Sequence, residues 1–370
     1  MSKIYDTIII GAGIAGASTA YALKQKGQHV LVVDKNGIAS GGSGAAGAFV
    51  SPKIGKGSPL QTLTNEAFEY AKEFYLATCP TLFHQTGVIR IPKDEADAQK
   101  FPIYETYNDN RYENYTKEDL ERLGIKAGLD SFYFSEAGVC EAQEVCKYLL
   151  GDIEVVQYVV KEIIQKNGLW CVGEYRAKNL VLATGFESNL ADMRYMGIRG
   201  TWGTRGDFSS TLVLDVSMHQ SMSVSANIEG IIKLGATHEK EVQEVVPCKS
   251  EQALLLKEKA SLMIDTSDLE LQKVFCGMRA GSKDYFPLVG KVIDVPFMFE
   301  TYPDILRGAK PKMKYLDSLF ICNGLGGRGF VFAPLMAKML AECIVEGKET
   351  DVRVDPDRLF LKWARKLEQF

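Results

Sequence analysis

The segment Asp6–Asp34 constrains the fold of this chain more than any other. Its four β-branched residues, Thr7–Ile10, predict a buried strand. The small-residue segment after them predicts a helix to about Lys26, and His29–Val33 predicts a second strand. A strand, a helix and a strand in such close succession predict the first unit of an α/β fold with a parallel sheet.

Three glycines and one acid give this unit the pattern of a dinucleotide site. Gly11 permits a tight turn, Gly13 lets a pyrophosphate approach the backbone, and Gly16 lets helix and strand pack closely. Asp34, at the end of the second strand, can accept hydrogen bonds from ribose hydroxyls. An ordinary glycine-rich turn explains the glycines but not their position between strand and helix, so we predict a bound dinucleotide.

The segment Ile38–Val50, IASGGSGAAGAFV, favours FAD over NAD. NAD enzymes usually continue with another βαβ unit, whereas this segment has too little side-chain bulk to build a core. Its backbone can lie against a pyrophosphate and the edge of an isoalloxazine ring. A flexible linker would be rich in Gly and Ser but would lack the apolar residues that are present here.

Two distant segments agree with this prediction. Asn179–Gly185, NLVLATG, predicts a short strand that ends in a small-residue turn against the same cofactor. Leu319–Glu342 predicts a strand, a turn with four glycines, and an amphipathic helix whose start is marked by Pro334. The N–H groups at a helix start suit negative charge, which a reduced flavin carries at its N1–O2 edge.

Together these segments resemble the D-amino-acid oxidase superfamily of flavoproteins, which includes glycine and sarcosine oxidases. Within it the chain is most similar to the FAD-dependent oxidoreductase module of the MnmC family, which matures the wobble uridine of certain tRNAs. The narrower resemblance is carried by Gly44–Pro52, Asn65–Tyr75, Gly277–Gly290 and Leu325–Leu335. The family's methyltransferase module is absent upstream of the first predicted strand, so we expect a stand-alone oxidoreductase.

The resemblance implies a glutathione-reductase-like FAD-binding Rossmann domain with an inserted antiparallel-sheet substrate domain. The FAD-binding domain is expected to comprise residues 1–83, 138–195 and 318–370. The substrate domain is expected to comprise residues 84–137 and 196–317.

Within the second part of the insert, alternating patterns predict several strands and one helix. Thr211–Val216 is predicted as an early strand of the inserted sheet, and Leu288–Val292 as its last. Glu251–Met263 is predicted to be the helix between them. The insert is therefore expected to form a wall in front of the flavin ring.

The resemblance also implies which residues bind the cofactor. They lie in the opening turn, after the second strand, in the glycine-rich segment, and in the later turns that meet the same ligand. They are Gly11, Gly13, Ile14, Ala15, Gly16, Asp34, Lys35, Gly42, Ser43, Gly44, Ala46, Gly47, Val160, Thr184, Gly185, Arg279, Gly326, Gly327, Arg328, Gly329 and Phe330. Cys276 lies near the position at which some sarcosine oxidases tether their flavin, but out of register by one residue, so we expect noncovalent FAD.

Three residues are candidates for substrate chemistry. Arg279 can hold a carboxylate with its planar fork, and in the superfamily the matching arginine commonly faces the substrate; an arginine ion-paired between domains is the alternative. Lys283 stands where the MnmC family often has arginine and can supply charge without a fork. His238 follows a predicted strand and either tunes the amine or is structural.

Composition limits the partners. A net charge of −4 and a pI near 5.8 give no global attraction to nucleic acid, so tRNA would need a local basic patch. Arg307–Lys314 and Arg358–Lys366 are candidate patches, although solvated surface charge explains each of them as well. We expect a cytoplasmic protein with no membrane or metal partner, whose eight single cysteines are free thiols.

The resemblance implies one reaction and leaves two alternatives. The implied reaction removes the carboxymethyl group from 5-carboxymethylaminomethyl-(2-thio)uridine in tRNA and gives the 5-aminomethyl product and glyoxylate. A separate methyltransferase would then act on that product. The first alternative is a small-molecule oxidase of glycine, sarcosine or a D-amino acid. The second is a flavin-bearing RNA-binding or scaffold protein without turnover.

Overall fold

The computed structural model describes residues 3–187, 189–242 and 244–367. In these residues the strands are β1 (Ile4–Ile10), β2 (Val30–Asp34), β3 (Phe49–Val50), β4 (Phe83–His84), β5 (Val88–Arg90), β6 (Glu113–Tyr115), β7 (Ser131–Phe134), β8 (Gly138–Cys140), β9 (Glu154–Gln157), β10 (Ile164–Lys166), β11 (Leu169–Val172), β12 (Tyr175–Leu182), β13 (Arg199–Ser209), β14 (Ser217–His219), β15 (Ser223–Val224), β16 (Ile231–Gly235), β17 (Glu270–Gly281), β18 (Leu288–Ile293) and β19 (Tyr315–Asn323).

The described helices vary from one turn to five. The α-helices are α1 (Ile14–Gln25), α2 (Pro59–Thr78), α3 (Glu95–Ala98), α4 (Phe101–Glu105), α5 (Lys117–Arg122), α6 (Ala142–Leu150), α7 (Ser250–Ala260), α8 (Val295–Thr301), α9 (Gly329–Glu346) and α10 (Asp357–Ala364). Single 3₁₀ turns occupy Pro80–Leu82, Arg194–Met196, Pro303–Ile305 and Gly326–Arg328. No helix among the described residues is long and apolar enough to cross a membrane.

The first sheet has a parallel centre made of β19, β12, β1, β2 and β9, in that order. β18 extends it antiparallel to β19, and the hairpin β10–β11 pairs with the start of β12. Side chains alternate along β1, so that Ile9 packs in the core with α1, α2 and α9, while Ile8 and Ile10 pack in the core on the opposite face. Burial of one such side chain is worth roughly 1.5–3 kcal/mol, which fixes the register of the strand.

The second sheet is built from strands within residues 88–134 and 199–281. Its eight strands follow the order β17-β13-β16-β15-β14-β5-β7-β6, and α7 packs on it over a separate apolar core. All its pairs are antiparallel except β14 with β5. A third, small sheet has the strand order β3-β8-β4. A bridge between Gly281 and Leu325 brings the end of β17 to the turn before α9.

One predicted strand of the insert is absent, and another belongs to the first sheet. Thr211–Val216 does not form a strand, because the Asp268 carboxylate accepts hydrogen bonds from the Thr211 backbone N–H and from the Ser210 hydroxyl. Asn227 donates to two carbonyls of the same segment, so side chains satisfy backbone groups that a ladder would otherwise pair. The predicted strand near Leu288 exists, but it pairs with β19 in the first sheet.

The helix after β19 begins earlier than the sequence indicates. α9 begins at Gly329 and Pro334 lies inside it, so the prediction that Pro334 marks its start is wrong. A proline inside a helix leaves the carbonyl four residues earlier without its usual donor. That carbonyl belongs to Phe330, and the buried Tyr75 hydroxyl donates to it at 2.8 Å. A tertiary contact with α2 therefore replaces the missing helical hydrogen bond.

The expectation of eight free thiols is also wrong. Cys248 and Cys276 form a disulfide, with Cα atoms 5.7 Å apart and a sequence separation of 28. The segment after β16 returns across β17 and brings the two together, which residue spacing alone does not reveal. The other six cysteines are free and, except for the half-buried Cys171, buried.

Candidate functional site

The turn between β1 and α1 is too tight for side chains. Gly11 has φ +112°, and a Cβ added there would lie 2.2 Å from the carbonyl oxygen of Ala183 on the neighbouring strand end. A Cβ on Gly16 would lie 1.8 Å from the oxygen of Gly11. Both distances are far below van der Waals contact, so the two glycines are required for the close approach of α1, β1 and the end of β12.

The glycine-rich segment folds over this turn. The Ser43 hydroxyl accepts a hydrogen bond from the Ile14 N–H at 2.9 Å, and a Cβ on Gly13 would lie 2.9 Å from the same oxygen. A Cβ on Gly42 would lie 2.5 Å from the Met278 carbonyl oxygen, so the segment also contacts β17 directly. The segment therefore links the predicted cofactor turn to the second sheet.

Three other predicted residues of this segment have structural explanations. Gly44 is packed against the Ala39 carbonyl, 2.1 Å from where its Cβ would lie, and Gly47 lies against the Phe49 ring. The Ala46 carbonyl accepts a hydrogen bond from Arg205, which is buried and ion-paired with Asp207. These contacts hold the shape of the segment whether or not each residue touches a ligand.

The helix starts of α1 and α9 converge. In neither helix does the N-cap residue itself accept a hydrogen bond through its side chain, and neither has an acidic side chain in its first turn. A Cβ on Gly329 would lie 3.2 Å from Cγ2 of Ile14, so the two starts are in direct contact. Two positive helix ends without a protein counter-charge fit a ligand with negative groups at two places. FAD has such groups in its pyrophosphate and in its reduced ring.

Asp34 is already engaged by the protein. Its Oδ2 accepts from the Ala12 N–H at 2.8 Å, and its Oδ1 accepts from the N–H groups of Asn36 and Gly37. The carboxylate thus joins the turn after β1 to the turn after β2. Each carboxylate oxygen has more than one lone pair, and Oδ2 keeps capacity for a ribose hydroxyl. The ribose contact stays a prediction.

An open cavity of about 630 Å³ lies beside the ends of β2 and β9. Lys35 and Val159 line it, and Val160, the predicted ligand contact, comes next in the chain and is half-buried. Lys35 forms an ion pair with Glu187, which follows the turn after β12. Thr184 and Gly185 lie in that turn, and the Gly185 carbonyl accepts from the Asn323 side chain at 2.7 Å. The structure thus brings Asp34, Lys35, Val160 and Thr184 to one edge of the first sheet.

Arg279 lies on the face of β17 that meets the turn before α9. Its side chain crosses Gly203 of β13, where an added Cβ would lie 2.2 Å from Nη2, and Nη2 donates to the Thr237 carbonyl at 3.1 Å. Gly327 is on the other side, 3.9 Å from Cδ. Nη1 is inaccessible to solvent and has no hydrogen-bond partner among the described residues. Arg279 forms no ion pair there, which argues against the alternative of an arginine paired between domains.

The other two substrate candidates have different surroundings. His238 remains solvent-exposed on one side, with Nδ1 3.1 Å from the Ala236 carbonyl. The partial burial of its ring, and then the charge of Arg279, lower its pKa. The charge of Arg279 thus disfavours the protonated form of this ring. Lys283 is exposed, and its aliphatic stem packs against Gly197. The structure thus associates His238, but not Lys283, with Arg279.

The turn before α9 contains the remaining predicted residues. Gly326 has φ +60°, as its place in the turn requires, and Phe330 is buried in the core. Arg328 donates to the Ser51 carbonyl at 2.9 Å and has no carboxylate partner among the described residues. Burial, and then the charge of Arg90, lower the pKa of Arg328 to about 10. This cation faces the region where β17, the glycine-rich segment and α9 meet.

Sequence reasoning missed several residues of this region. Gly203 and Thr237 position Arg279, and Gly277 lets β17 approach Gly42, with 2.8 Å between its added Cβ and the Gly42 Cα. A glycine inside a strand pattern signals a close backbone approach, so Gly203 in TWGTRGD was detectable in principle. The role of the Thr237 carbonyl has no such signal. Among the described residues, no group of His, Cys, Asp and Glu side chains has a metal-binding arrangement.

The chain matches one protein family and is similar to several curated proteins. A family model described as FAD dependent oxidoreductase matches residues 6–343. Among curated proteins, the chain is similar to the "tRNA 5-methylaminomethyl-2-thiouridine biosynthesis bifunctional protein MnmC" of Dichelobacter nodosus, at 26% identity over 90% of this chain and 53% of the relative. The protein of the same name from Maricaulis maris is 27% identical over 92% of this chain and 52% of the relative. The chain spans about half the length of these curated relatives.

Solved structures share the fold. Glycine oxidase from Bacillus cereus superposes with a TM-score of 0.77 at 19% identity and covers 94% of this chain and 96% of its own. Iminodiacetate oxidase from Chelativorans sp. BNC1 superposes with a TM-score of 0.75 at 17% identity, over 95% of this chain and 98% of its own. The predicted mixed α/β flavoprotein fold is confirmed.

Proposed function

The chain belongs to the FAD dependent oxidoreductase family, and from that premise we propose that it oxidises the carboxymethylamino group of 5-carboxymethylaminomethyl-(2-thio)uridine in tRNA. Its class is established: it is an FAD-dependent oxidoreductase that acts on amine C–N bonds. The tRNA substrate, its modified uridine and the products are the proposal. The predicted cytoplasmic location is part of that proposal, because it follows from the tRNA substrate.

The reaction is a two-electron oxidation followed by hydrolysis. The secondary amine R–NH–CH2–COO⁻ loses a hydride equivalent from its methylene carbon and a proton from nitrogen, which gives an imine. Bound FAD supplies the acceptor for the hydride equivalent. Water then adds to the imine, and the C–N bond breaks to give R–NH2 and glyoxylate. A separate methyltransferase would act on the R–NH2 product.

The observation that carries the proposal is the unpartnered Nη1 of Arg279. A buried guanidinium nitrogen without an acceptor is unfavourable, so the site favours a ligand that supplies one. A carboxylate does so and can bind both nitrogens of the fork. With the carboxylate held there, the methylene carbon next to it would lie on the side of Gly327 and the start of α9, where the cofactor is expected. The lowered pKa of His238 disfavours a second positive charge beside the amine.

The choice of tRNA rests on the named relatives. Proteins with the MnmC name match nine-tenths of this chain at about one-quarter identity. The solved glycine oxidase and iminodiacetate oxidase favour a second candidate, a small-molecule amine oxidase. Glycine and iminodiacetate also carry a nitrogen on the carbon next to a carboxylate, and Arg279 would hold either of them in the same way.

One experiment separates the two candidates. Anaerobic stopped-flow reduction of the flavin is measured with tRNA that carries the carboxymethylaminomethyl group, and with free glycine, sarcosine and iminodiacetate. The tRNA should reduce the flavin far faster, because binding energy from the rest of the RNA positions the reacting carbon. Nucleoside analysis should then show the aminomethyl product, and trapping should show glyoxylate. Reduction by a free amine at least as fast as by tRNA would replace the proposal with the small-molecule oxidase.

A further inference from the structure

Two cations without counter-charges lie next to each other between the glycine-rich segment and α9. Arg328 donates to the Ser51 carbonyl, and Lys53 follows two residues later in the same segment. The Lys53 backbone N–H is fixed by the Asn65 side chain at 2.8 Å, so the segment is held against α2 at this point. The Lys53 ammonium group has no hydrogen bond and no ion pair within the described ranges.

A third cation approaches from the second sheet. Arg90 ends β5 and pairs in register with His219 of β14, whose carbonyl accepts from the Arg90 guanidinium at 3.4 Å. The described carboxylate nearest to Arg90 is that of Asp97, 3.6 Å from the guanidinium. His219 faces the same region, with its Nδ1 2.8 Å from the Ser223 hydroxyl. We refer to Lys53, Arg90 and Arg328 as the cation cluster.

The three charges repel one another. Burial, then Arg328 and then Arg90 lower the pKa of Lys53, and burial followed by Arg90 lowers that of Arg328. The pKa of His219 falls to about 3 through burial and then through Arg90 and Arg328, so its ring is neutral. Like charges gathered in a partly buried place are unfavourable unless an anion joins them. Among the described residues, one carboxylate, that of Asp97, pairs with these three cations.

The cation cluster is distinct from the position predicted for the substrate carboxylate. Arg279 directs its unpartnered Nη1 from β17, and its Cδ is next to Gly327. Arg328 is the following residue and turns instead toward Ser51. The two positions are therefore neighbours across the turn before α9, close enough for one extended ligand to reach both.

We propose that the cation cluster is a second anion site that binds a phosphodiester group of the RNA flanking the reacting nucleotide, while Arg279 binds the carboxylate. This inference rests on the proposed tRNA function and deepens it. A phosphodiester carries one negative charge and two free oxygens, which suit Lys53 and the guanidinium forks of Arg90 and Arg328. Glycine and sarcosine have no second anion, so the cluster would distinguish RNA from these small amines. It also explains how an acidic chain can bind nucleic acid locally.

The test compares two substrates that carry the same reacting group, one with flanking RNA and one without it. One is an anticodon stem-loop RNA with the carboxymethylaminomethyl uridine, and the other is the free modified nucleoside. Flavin reduction is followed with wild-type holoenzyme and with Lys53→Gln and Arg90→Gln. Lys56→Gln is the matched control, because Lys56 is an exposed lysine in the same segment.

Lys53→Gln should raise the RNA concentration for half-maximal reduction about tenfold and reduce the slope of log affinity against log salt by about 1. Its effect on the nucleoside should be at least about five times smaller, since the nucleoside lacks the contacted group. Lys56→Gln should behave like wild type with both substrates. If Arg90→Gln folds, it should behave like Lys53→Gln. If Arg90→Gln does not fold, the result for Lys53→Gln tests the proposal by itself.

Three outcomes would overturn the second anion site. Equal losses for RNA and nucleoside would mean that the cluster acts on the reacting group. Loss of bound FAD in Lys53→Gln would assign the cluster to the cofactor. An effect no larger than that of Lys56→Gln would mean ordinary surface charge. Failure of the proposed function is different, because wild type would then not be reduced by the RNA at all.

Discussion

The nucleotide-binding region and the substrate-facing region satisfy their polar groups in opposite ways. At the ends of β1 and β2, the Asp34 carboxylate and the Ser43 hydroxyl accept hydrogen bonds from backbone N–H groups, and the glycines fit the turns tightly. Around β17 and the turn before α9, Arg279, Arg328 and Lys53 lack carboxylate partners among the described residues. The protein thus satisfies the polar side chains of the first region itself, whereas those of the second region fit the anionic ligand that we propose.

The largest expected effect concerns the scaffold. In Gly16→Ala the new Cβ would lie 1.8 Å from the Gly11 oxygen, so α1 must move away from β1. Overpacking of this kind costs about 1–3 kcal/mol of folding free energy, and here it also displaces the predicted pyrophosphate site. We expect loss of bound FAD and a lower Tm, measured by absorbance and calorimetry. Gly41→Ala, where an added Cβ meets nothing within 4 Å, is the control. Full FAD content in Gly16→Ala would contradict the conclusion that this tight turn is required for FAD binding.

Arg279→Lys tests the substrate-facing region next. Lysine keeps the charge but loses the planar fork, so the substrate carbon is displaced from its reacting position. A displacement of about 1 Å can reduce the rate about a hundredfold. FAD content and Tm should stay near the wild-type level, because lysine keeps the positive charge, and among the described residues Arg279 donates one hydrogen bond, to the Thr237 carbonyl. A wild-type rate of flavin reduction in this variant would remove Arg279 from the site.

Gly203→Ala should reproduce part of that loss without changing any charge. Its Cβ would lie 2.2 Å from Arg279 Nη2 and 2.8 Å from the Thr237 oxygen, so the guanidinium must shift. We expect a rate between about tenfold and a hundredfold lower, with kcat reduced more than FAD content. Gly281→Ala, which meets nothing within 4 Å at the end of β17, is the matched control. Equal behaviour of the two variants would show that Gly203 does not position Arg279.

Asp34→Ala should weaken FAD binding by about one order of magnitude, if charged-acceptor hydrogen bonds of about 1.5–3 kcal/mol to the ribose are lost. It should also lower the Tm, because the carboxylate joins two turns through Ala12, Asn36 and Gly37. Asp6→Ala is the comparison, since Asp6 accepts from the His29 N–H at the opposite end of the sheet. It should lose stability but not FAD affinity. Unchanged FAD affinity in Asp34→Ala would place the ribose elsewhere.

The smallest expected effect is on how folding stability depends on pH, through Asp357 at the start of α10. Burial, and then the nearby Asp355, raise the pKa of Asp357 to about 6. A carboxyl whose pKa is raised in the folded state binds its proton more tightly there than in the unfolded chain. Stability should therefore fall as pH rises from about 4 to about 6. Asp357→Asn should flatten the Tm profile in that window, whereas Asn at the exposed Asp317 should not. A profile unchanged in Asp357→Asn would contradict the raised pKa.

The elements of the nucleotide-binding region could be predicted from residues that are close together in the sequence. The predicted strands over Thr7–Ile10 and His29–Val33 and the helix between them correspond to β1, β2 and α1 within a few residues. The FAD family followed from the same pattern and is confirmed. Errors arose where a tertiary contact replaced a local one. The Tyr75 hydroxyl donates to the carbonyl that Pro334 leaves without a helical partner. The Asp268 carboxylate accepts from the Thr211 N–H, which therefore does not pair with a neighbouring strand.

The sequence by itself determined the βαβ unit, its cofactor class and the family, because side-chain period and glycine sterics act between residues that are close along the chain. Only the tertiary structure decided that Arg279 lies across Gly203, that Cys248 joins Cys276, and that β18 belongs to the first sheet. It alone also brought Lys53, Arg90 and Arg328 together. These contacts join distant segments, and burial and charge repulsion depend on distances in space that residue spacing does not encode.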